Sequence, residues 1–402
     1  MKEGWEYKKL GDCFVSINNG ANIRQVKGAK GIPVTRIETL SNDKFNRERM
    51  GYADILDASP YSSYILNDGD ILMSHINSMK FLGRAVQYSK KENETIIHGM
   101  NLLRLVPTKD VLSSFLVYQF YTAFFRNQIV SISHQSVNQA SFNTTNLKNL
   151  KLKVPTLSEQ QSIVDYLDSA FAKIDAMKAN AEKRLNEAQA LYQASLKEML
   201  EPKEGWEEKT LLALTSKIGS GATPKGGRKV YIDEGCHLIR SMNVQYNEFK
   251  YEDLAHITDE AAEQLKGVEI QENDVLFNIT GASIARCCVV PTDALPARVN
   301  QHVSILRLKQ DVLPKFLSYI LNSPRHQREL LEIGEAGSTR QALTKTDLEN
   351  HVICYPNIDS QTKLLYTLDS LKSKVDKLQE NYEKISQECD ALKQAILRQV
   401  FE

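Results

Sequence analysis

Apolar residues recur at alternating steps of four and three along two long stretches of the chain, residues 157–200 and residues 358–401. Neither stretch contains proline or glycine, so each predicts an uninterrupted helix, which at about 1.5 Å per residue would be roughly 60 Å long. This spacing keeps one face of a helix apolar and is typical of the seam of a coiled coil. The positions predicted to pair the helices are Leu167, Ile174, Leu191, Leu368, Val375, Leu378, Ile385 and Leu392.

The two stretches are near-copies of each other. Adding 201 to a residue number in the first stretch gives an identical or similar residue in the second, as for Gln160 and Gln361 or for Asp168 and Asp369. Because 201 is half of 402, this pattern indicates a tandem duplication in which each half ends in a long helix. Two such helices in one chain favour an internal antiparallel pair, and a dimerising coiled coil between two chains stays open as the alternative.

The segments before the long helices repeat more loosely. Residues 4–10 correspond to residues 205–211 and hold both tryptophans, which we expect to anchor the two domains. Short strands, glycine-rich loops and Asp-containing turns follow in the same order in both halves. The predicted fold class is α+β with an internal pseudo-twofold repeat, in which two mixed α/β domains are separated by two long helices that pair as an antiparallel coiled coil. The predicted boundaries are residues 1–154 and 203–354 for the domains and residues 155–202 and 355–402 for the helical segments.

Composition places the chain among globular proteins and adds little about its ligand. The net charge is zero, 25% of the residues are charged and 42% are apolar, and no apolar run is long enough to span a membrane. The first residues lack an apolar signal core, so we expect a cytoplasmic protein with no membrane partner. The six cysteines fall in no CxxC or Cys/His ligand spacing, which predicts reduced, structural thiols and no metal site.

The distribution of charge separates the two halves. Residues 1–154 carry a net charge of +7 and residues 203–354 a net charge of −3. The first value is compatible with nucleic-acid binding, whereas the second requires any basic patch in that domain to be local.

Two loops just before the long helices carry candidate chemistry. Residues 136–140 have the sequence Ser-Val-Asn-Gln-Ala, and residues 338–342 have the sequence Ser-Thr-Arg-Gln-Ala. Short hydroxyl, amide and guanidinium groups close together on an exposed loop are the groups that hydrogen-bond the base edges of DNA. An ordinary solvated loop, closed by a helix cap at Thr144 or Thr344, is the alternative. The occurrence of the loop at equivalent places in two otherwise divergent domains favours a functional role.

The ordered set of motifs is similar to that of a known family. A tryptophan, a glycine-rich loop, a (Gly/Asn)-Asp-(Ile/Val)-Leu turn, a Gln-Ala loop and a Pro-x-(Leu/Ile)-x-x-Gln helix start occur in this order, twice. Over essentially the whole chain, this order resembles the DNA-specificity subunit of type I restriction-modification enzymes. The resemblance implies that each domain is a target recognition domain reading one half of a split double-stranded DNA sequence, and that the two helices act as the spacer.

The same resemblance implies protein partners. Two modification subunits, which bind S-adenosylmethionine and methylate adenine, would dock on the helices, and restriction subunits would join through the complex. No cofactor is implied for this chain. The residues that we expect to contact DNA lie on the loops and strand ends marked by the motifs. They are Asn22, Arg24, Arg36, Asn77, Lys80, Arg84, His134, Asn138, Gln139, Thr223, Lys225, Arg228, Arg240, Thr280, Arg286, Ser338, Thr339, Arg340 and Gln341.

No catalytic constellation accompanies these motifs. The sequence contains no Pro-Pro and therefore lacks the (Asn/Asp)-Pro-Pro-(Tyr/Phe) loop of a DNA methyltransferase, and it contains no HExxH and no GxSxG. We therefore expect a binding subunit and not an enzyme. Two other classes stay open. A scaffold of two heads on a coiled coil would show no salt-dependent duplex binding, and an enzyme with an unfamiliar active site would show turnover by the isolated chain.

Overall fold

The chain divides into two compact units. The computed structural model describes residues 4–41, 43–137, 139–335 and 341–402, with the backbone alone at residues 227 and 228. The first unit consists of residues Met1–Ala181 and Tyr382–Glu402, and the second consists of residues Glu182–Asn381. Each unit therefore contains one domain and one part of each long helix.

The first unit is built on an antiparallel sheet. Its strands are β1 (Glu6–Lys9), β2 (Phe14–Asn19), β3 (Leu40–Ser41), β4 (Lys44–Phe45), β5 (Ile71–Met73), β6 (Ile76–Asn77), β7 (Ala85–Gln87), β8 (Leu103–Pro107), β9 (His134–Gln135), β10 (Ala140–Ser141) and β11 (Lys151–Val154). Its helices are α1 (Ser113–Phe120), α2 (Ala123–Ile132), α3 (Thr144–Lys148) and the start of α4 (Leu157–Leu200). The main sheet has the order β2-β8-β5-β7, and smaller sheets are formed by β1 with β11, by β3 with β4, and by β6-β10-β9. Phe115, Phe120 and Phe125 from α1 and α2 fill the core on one face of the main sheet.

The second unit repeats this plan and adds a sheet. Its strands are β12 (Glu207–Thr210), β13 (Thr215–Ser220), β14 (Tyr231–Ile232), β15 (Cys236–Ile239), β16 (Ala255–Ile257), β17 (Val275–Asn278), β18 (Cys287–Val289), β19 (Ala297–Val299), β20 (Val303–Leu308) and β21 (Val352–Tyr355). Its helices are α5 (Leu211–Leu214), α6 (Asp259–Gln264), α7 (Pro314–Leu321), α8 (Pro324–Glu335), α9 (Lys345–Asn350) and the start of α10 (Ile358–Phe401). The order β13-β20-β17-β18 matches that of the main sheet in the first unit, and β14-β16-β15-β19 is a further, mixed sheet. The predicted α+β fold with an internal repeat is confirmed.

A buried glutamine fixes the start of each long helix to its domain. The Gln160 side-chain oxygen accepts the Leu112 N–H at 2.9 Å, and its amide nitrogen donates to the carbonyls of Asp110 at 3.1 Å and Pro155 at 2.9 Å. Gln361 makes the corresponding three bonds in the second unit at 2.8, 3.1 and 2.8 Å. The glutamine of the repeated Pro-x-(Leu/Ile)-x-x-Gln motif is therefore a structural joint.

Both tryptophans pack in their domain cores. Trp5 is 3% exposed, donates from Nε1 to Glu159 on α4 at 2.7 Å, and makes an edge contact with Phe115. Trp206 packs on Phe316 with ring centroids 6.2 Å apart. These contacts are the physical basis of the anchoring role predicted from sequence.

The long helices run antiparallel within the first unit. Ile174 on α4 has its carbonyl oxygen 3.9 Å from the Cys389 thiol on α10, whereas Leu167, earlier on α4, shares a buried cluster with Leu397, later on α10. In the second unit, the part of α4 that ends at Leu200 shares a core with the first turns of α10. Helix pairing is thus part of each unit's core. Among the described residues, no helix is long and apolar enough to cross a membrane.

The buried face of each helix departs from the predicted seam toward the C-terminal end. On α4, Leu191 is 63% exposed while the adjacent Tyr192 is buried. On α10, Leu392 is 47% exposed while Leu397, further along the helix, is buried. An α-helix drifts by about 20° per heptad relative to a strict seven-residue repeat, so from Leu167 to Leu191 the apolar face turns by roughly 70°. Of the other predicted positions, Leu167, Ile174 and Leu368 are buried and Val375, Leu378 and Ile385 are half-buried.

The glycine-rich loops serve close backbone packing. A Cβ at Gly20 would lie 2.3 Å from the His98 carbonyl oxygen, and a Cβ at Gly221 would lie 1.6 Å from that of Val299. Only glycine fits these crossings, which lie at equivalent ends of β2 and β13. The glycine-rich sequence of these loops is therefore explained by the fold.

Candidate nucleic-acid interface

A loop between two strands of the main sheet has the same backbone arrangement in both units. In the first unit, the Ser74 N–H donates to the Arg84 carbonyl at 2.8 Å and the Gly83 N–H donates to the Ser74 carbonyl at 2.7 Å. In the second unit, Asn278 and Arg286 are joined in the same way at 2.9 Å, and Ala285 takes the place of the glycine. Gly83 and Ala285 both have positive φ, at 72° and 67°. This loop places one predicted arginine at the same point of each domain.

These two arginines are held by different neighbours. Arg84 forms an ion pair with Asp43 at 3.2 Å, and its guanidinium lies 4.5 Å from the centre of the Phe81 ring. Arg286 donates to Gln245 at 2.7 Å and lies 5.2 Å from the centre of the Tyr246 ring. Stacking on an aromatic ring limits the orientations of a guanidinium group. Asp43 offsets part of the charge of Arg84. Arg286, in contrast, is held by two uncharged side chains, Gln245 and Tyr246.

In the first unit, the predicted loops meet on a small sheet. Ala140 of β10 pairs with Asn77 of β6 on one side and with Gln135 of β9 on the other. The Ser136 N–H donates to the Gln139 carbonyl at 2.7 Å. The side chains of His134 and Gln139 are exposed. The structure therefore brings Asn77, His134 and Gln139 close together at one small sheet.

The neighbouring buried histidine adds no charge to this surface. His75, which directly precedes β6, is 8% exposed, and burial lowers its pKa. It is therefore neutral at pH 7. Any attraction of phosphate in this region must come from the exposed lysines and arginines.

In the second unit, Thr280 and Gln341 come together. Thr280 forms an isolated antiparallel bridge with Ala342, and the Gly281 N–H donates to the Gln341 carbonyl at 3.2 Å. The Gln341 side chain is exposed and donates to Glu335 at 2.9 Å. This pairing corresponds to that of Asn77 with Ala140 in the first unit, because each joins the end of the hairpin loop to the Gln-Ala segment.

A chain of polar side chains extends from Thr280. Its hydroxyl lies 2.6 Å from His302 Nδ1, and His302 Nε2 lies 3.2 Å from the Gln301 amide nitrogen. Gln301 accepts a 2.7 Å hydrogen bond from the hydroxyl of Thr223 on the glycine-rich loop. Two predicted residues, Thr223 and Thr280, are therefore linked through two residues that sequence reasoning missed. No motif or periodic pattern in the sequence marks Gln301 and His302. They come close to Thr280 only because β17 pairs with β20.

The remaining predicted residues lie apart or outside the described part of the chain. Arg36 and Arg240 each precede a single 3-10 turn, where Arg36 pairs with Glu38 at 3.4 Å and Arg240 contacts the Asp253 carbonyl. Lys80 is exposed on the same hairpin loop as Arg84, and the exposed predicted residues on other loops are Asn22, Arg24 and Lys225. Outside the described residues or side chains lie Asn138, Arg228, Ser338, Thr339 and Arg340.

Both Gln-Ala segments lead into a capped helix. Asn143 caps α3 by accepting the Asn146 N–H at 2.7 Å, and Thr344 caps α9 by accepting the Asp347 N–H at 3.1 Å. The cap predicted at Thr344 is present, whereas in the first unit Asn143 caps the helix in place of Thr144. A cap fixes where each loop ends and leaves the side chains before it available.

Comparison with protein families gives a match over most of the chain. The model of the type I restriction modification DNA specificity domain matches twice, over residues 2–187 and 203–387. The putative type I restriction enzyme MjaX specificity subunit of Methanocaldococcus jannaschii is 29% identical, over 96% of this chain and 91% of its own length. The type I restriction enzyme EcoBI specificity subunit of Escherichia coli is 25% identical over 68% of this chain, and the match spans 62% of that relative.

Solved structures of low sequence identity share the fold. A chain from a study of complex assembly and conformational transition of the type I R-M system has a TM-score of 0.76 at 16% identity, covering 100% of this chain and 98% of that one. The HsdS subunit from Thermoanaerobacter tengcongensis has a TM-score of 0.57 at 17% identity, covering 100% and 97%. At these identities the likeness concerns the fold alone.

Proposed function

This chain belongs to the type I restriction modification DNA specificity family, and we propose that each of its two recognition domains reads one half of a bipartite double-stranded DNA target. The observation that carries the proposal is the repeated pairing of the hairpin loop with the Gln-Ala segment. It presents Asn77, His134 and Gln139 in the first unit and Thr280 with Gln341 in the second. Amide and hydroxyl groups on exposed loops match the donor and acceptor pattern of base edges.

The basic residues around these loops would position the duplex. Exposed Arg24, Lys80 and Lys225 are suited to phosphate contacts, which fix register without reading sequence. Arg286, stacked on Tyr246, is suited to a bidentate contact because its orientation is restricted. Asn138, Ser338, Thr339 and Arg340, together with the Arg228 side chain, stay proposed contacts from their place in the sequence.

The long helices would set the distance between the two half-sites. We propose residues 1–154 and 203–354 as the recognition domains and residues 155–202 and 355–402 as the spacer. Each helix is 44 residues long and contains no proline or glycine. The buried Gln160 and Gln361 joints would transmit the helix orientation to the domains.

The exposed faces of the helices would receive protein partners. In the first unit, a groove between α4 and α10 is lined by Tyr166, Lys173, Met177 and Leu392 among others, and Tyr166 and Met177 are 51% and 59% exposed. Apolar side chains exposed in this way suit protein association. We propose that two modification subunits dock on the helices and supply S-adenosylmethionine binding and methyl transfer, with restriction subunits joining through them. This chain itself would contribute binding and no chemistry.

Duplex binding with and without the modification subunit tests the proposal. A chain of zero net charge gains little from counterion release, so alone it should bind duplex DNA weakly. Co-expression with the modification subunit should raise the affinity, and the complex should lose affinity as salt increases. Equal affinity in both preparations would contradict the partner model. Absence of salt-dependent duplex binding in both would favour a scaffold without nucleic acid.

A further inference from the structure

Two buried histidines and a glutamate converge in the second unit, at a place that the DNA-recognition proposal does not use. His326 in the first turn of α8 is 4% exposed, and His351, which follows α9, is 6% exposed. His326 Nδ1 lies 2.9 Å from His351 Nε2 and 3.6 Å from Glu329 Oε2. One ligand atom from each of the three residues lies within 4.8 Å of the others.

Two of the three separations are close to those around a tetrahedral transition-metal ion. With metal–nitrogen and metal–oxygen bonds of about 2.0–2.1 Å, two ligand atoms at a tetrahedral angle stand roughly 3.3–3.4 Å apart. The two short separations in the cluster, 2.9 Å and 3.6 Å, lie on either side of that value. Two imidazoles and one carboxylate are also a donor set that zinc uses in proteins, with water in the remaining position.

The protonation states need no large change. Both imidazoles are buried, and burial favours their neutral form. A neutral imidazole carries one N–H and one lone pair, and a change of tautomer can direct both lone pairs inward without releasing a proton from the rings. Arg325 donates from Nε to Glu329 Oε1 at 3.1 Å, which orients the carboxylate and leaves Oε2 facing His326.

The equivalent positions of the first unit hold other residue types. The positions 201 residues earlier are Phe125, Gln128 and Leu150, and Phe125 and Leu150 are buried in the core. Gln128 instead pairs with the backbone of Lys151, accepting its N–H at 2.9 Å and donating to its carbonyl at 3.0 Å. The backbone is equivalent in both units, since the Leu150 carbonyl accepts the Leu10 N–H and the His351 carbonyl accepts the Leu211 N–H. The second unit therefore carries three potential metal ligands where the first has two buried apolar residues and a glutamine.

We propose that His326, His351 and Glu329 bind one divalent transition-metal ion of the zinc type. The ion joins α8 to the end of α9, the two helices that flank residues 336–344. It therefore cross-links both sides of the segment that carries Gln341. Spacing in the sequence gives no metal signature, because His351 lies far from the His326-x-x-Glu329 pair and meets it only through the fold.

Zinc titration of the untagged, full-length chain tests the proposal, with the first unit supplying the control variants. After removal of metal with a chelator, calorimetric titration with zinc chloride should show one site per chain. The double variant H326F/H351L, which takes the residue types of Phe125 and Leu150, should lose that site while keeping the circular dichroism spectrum. E329Q, which takes the type of Gln128, should bind zinc at least tenfold more weakly. Zinc should raise the melting temperature of the wild type and leave that of the double variant unchanged.

Two results would overturn the site. Absence of zinc binding by the wild type at tens of micromolar zinc would leave only a hydrogen-bonded histidine pair. Equal binding by the wild type and H326F/H351L would place the ion on other histidines, such as the neighbouring rings of His237 and His256. Both results leave the DNA-binding measurements untouched, so failure of the metal site and failure of the proposed function are distinguishable.

Discussion

The Gln361 joint offers a direct test of how the second domain is held to its long helix. Gln361 is fully buried and makes three hydrogen bonds, accepting the Leu313 N–H and donating to the carbonyls of Asp311 and Pro356. Substitution by alanine removes all three bonds and leaves three backbone groups without that partner. At about 1 kcal/mol for each bond, this loss amounts to roughly 3 kcal/mol.

Three further effects accompany the substitution. Removal of the one buried Cγ methylene group costs about 0.8 kcal/mol more. Alanine has no side-chain rotamers to lose on folding, which offsets about 2 kcal/mol of this destabilisation. Its higher helix propensity offsets a few tenths of a kcal/mol more. We therefore expect Gln361→Ala to destabilise the second unit by about 1.5 kcal/mol, which corresponds to a fall in melting temperature of roughly 3–6 °C for a unit of this size.

Scanning calorimetry of the full chain measures this fall. Gln160→Ala should have a similar effect on the first unit, and the double variant should lower both transitions, because the two sites belong to separate units. Gln193→Ala, on an exposed position of α4, is the matched control and should leave both transitions in place. If Gln160→Ala and Gln361→Ala are indistinguishable from Gln193→Ala, the joints do not hold the domains and the reasoning fails.

Acid stability and helix length provide two further predictions. Hydrogen bonds from Arg47 are the main cause that lowers the pKa of Glu94 from 4.5 to about 2. The ion pair of Glu94 with Arg47 therefore stabilises the fold fully above pH 4.5, and this stabilisation is lost as the pH falls toward 2. The urea midpoint of Glu94→Gln should therefore lie below that of the wild type at pH 7 and approach it at pH 3, whereas the exposed Glu92→Gln should match the wild type throughout; a constant difference for Glu94→Gln would contradict the ion-pair account. Insertion of one heptad after Ala181 and one after Tyr382 adds roughly 10 Å, or about three base pairs and 100° of duplex rotation, so the spacer in methylated sites should lengthen or specific binding should be lost. An active insertion variant with the original spacer would show that the helices do not set the distance.

The sequence predicts those features that repeat or have a strong period. The long helices, the two tryptophan anchors and the order of strands follow from the 201-residue repeat and from apolar spacing, and the structure has them. The helix-pairing face is predicted well only where the helices begin, because the difference between 3.6 and 3.5 residues per turn accumulates and turns Leu191 and Leu392 outward.

Features that depend on contacts between distant strands could not be predicted. Gln301 and His302 join the candidate interface only because β20 lies beside β17, and His351 meets His326 only because α8 and β21 pack in one core. Neither arrangement has a local sequence pattern. The candidate loops could be located from the repeat, whereas the partners of each side chain required the fold.

A methylation profile of single-loop variants tests the central claim, that each domain reads one half-site, most directly. Cells expressing the complex with Gln139→Ala or with Gln341→Ala are compared by sequencing their methylated sites, with Gln193→Ala as the control. Each loop variant should relax discrimination at one half-site, by about 1–3 kcal/mol for a lost bidentate base contact, and leave the other half-site unchanged. The two variants should affect opposite halves. A profile in which either variant alters both halves, or in which both variants match the control, would contradict the assignment of these loops to separate half-sites.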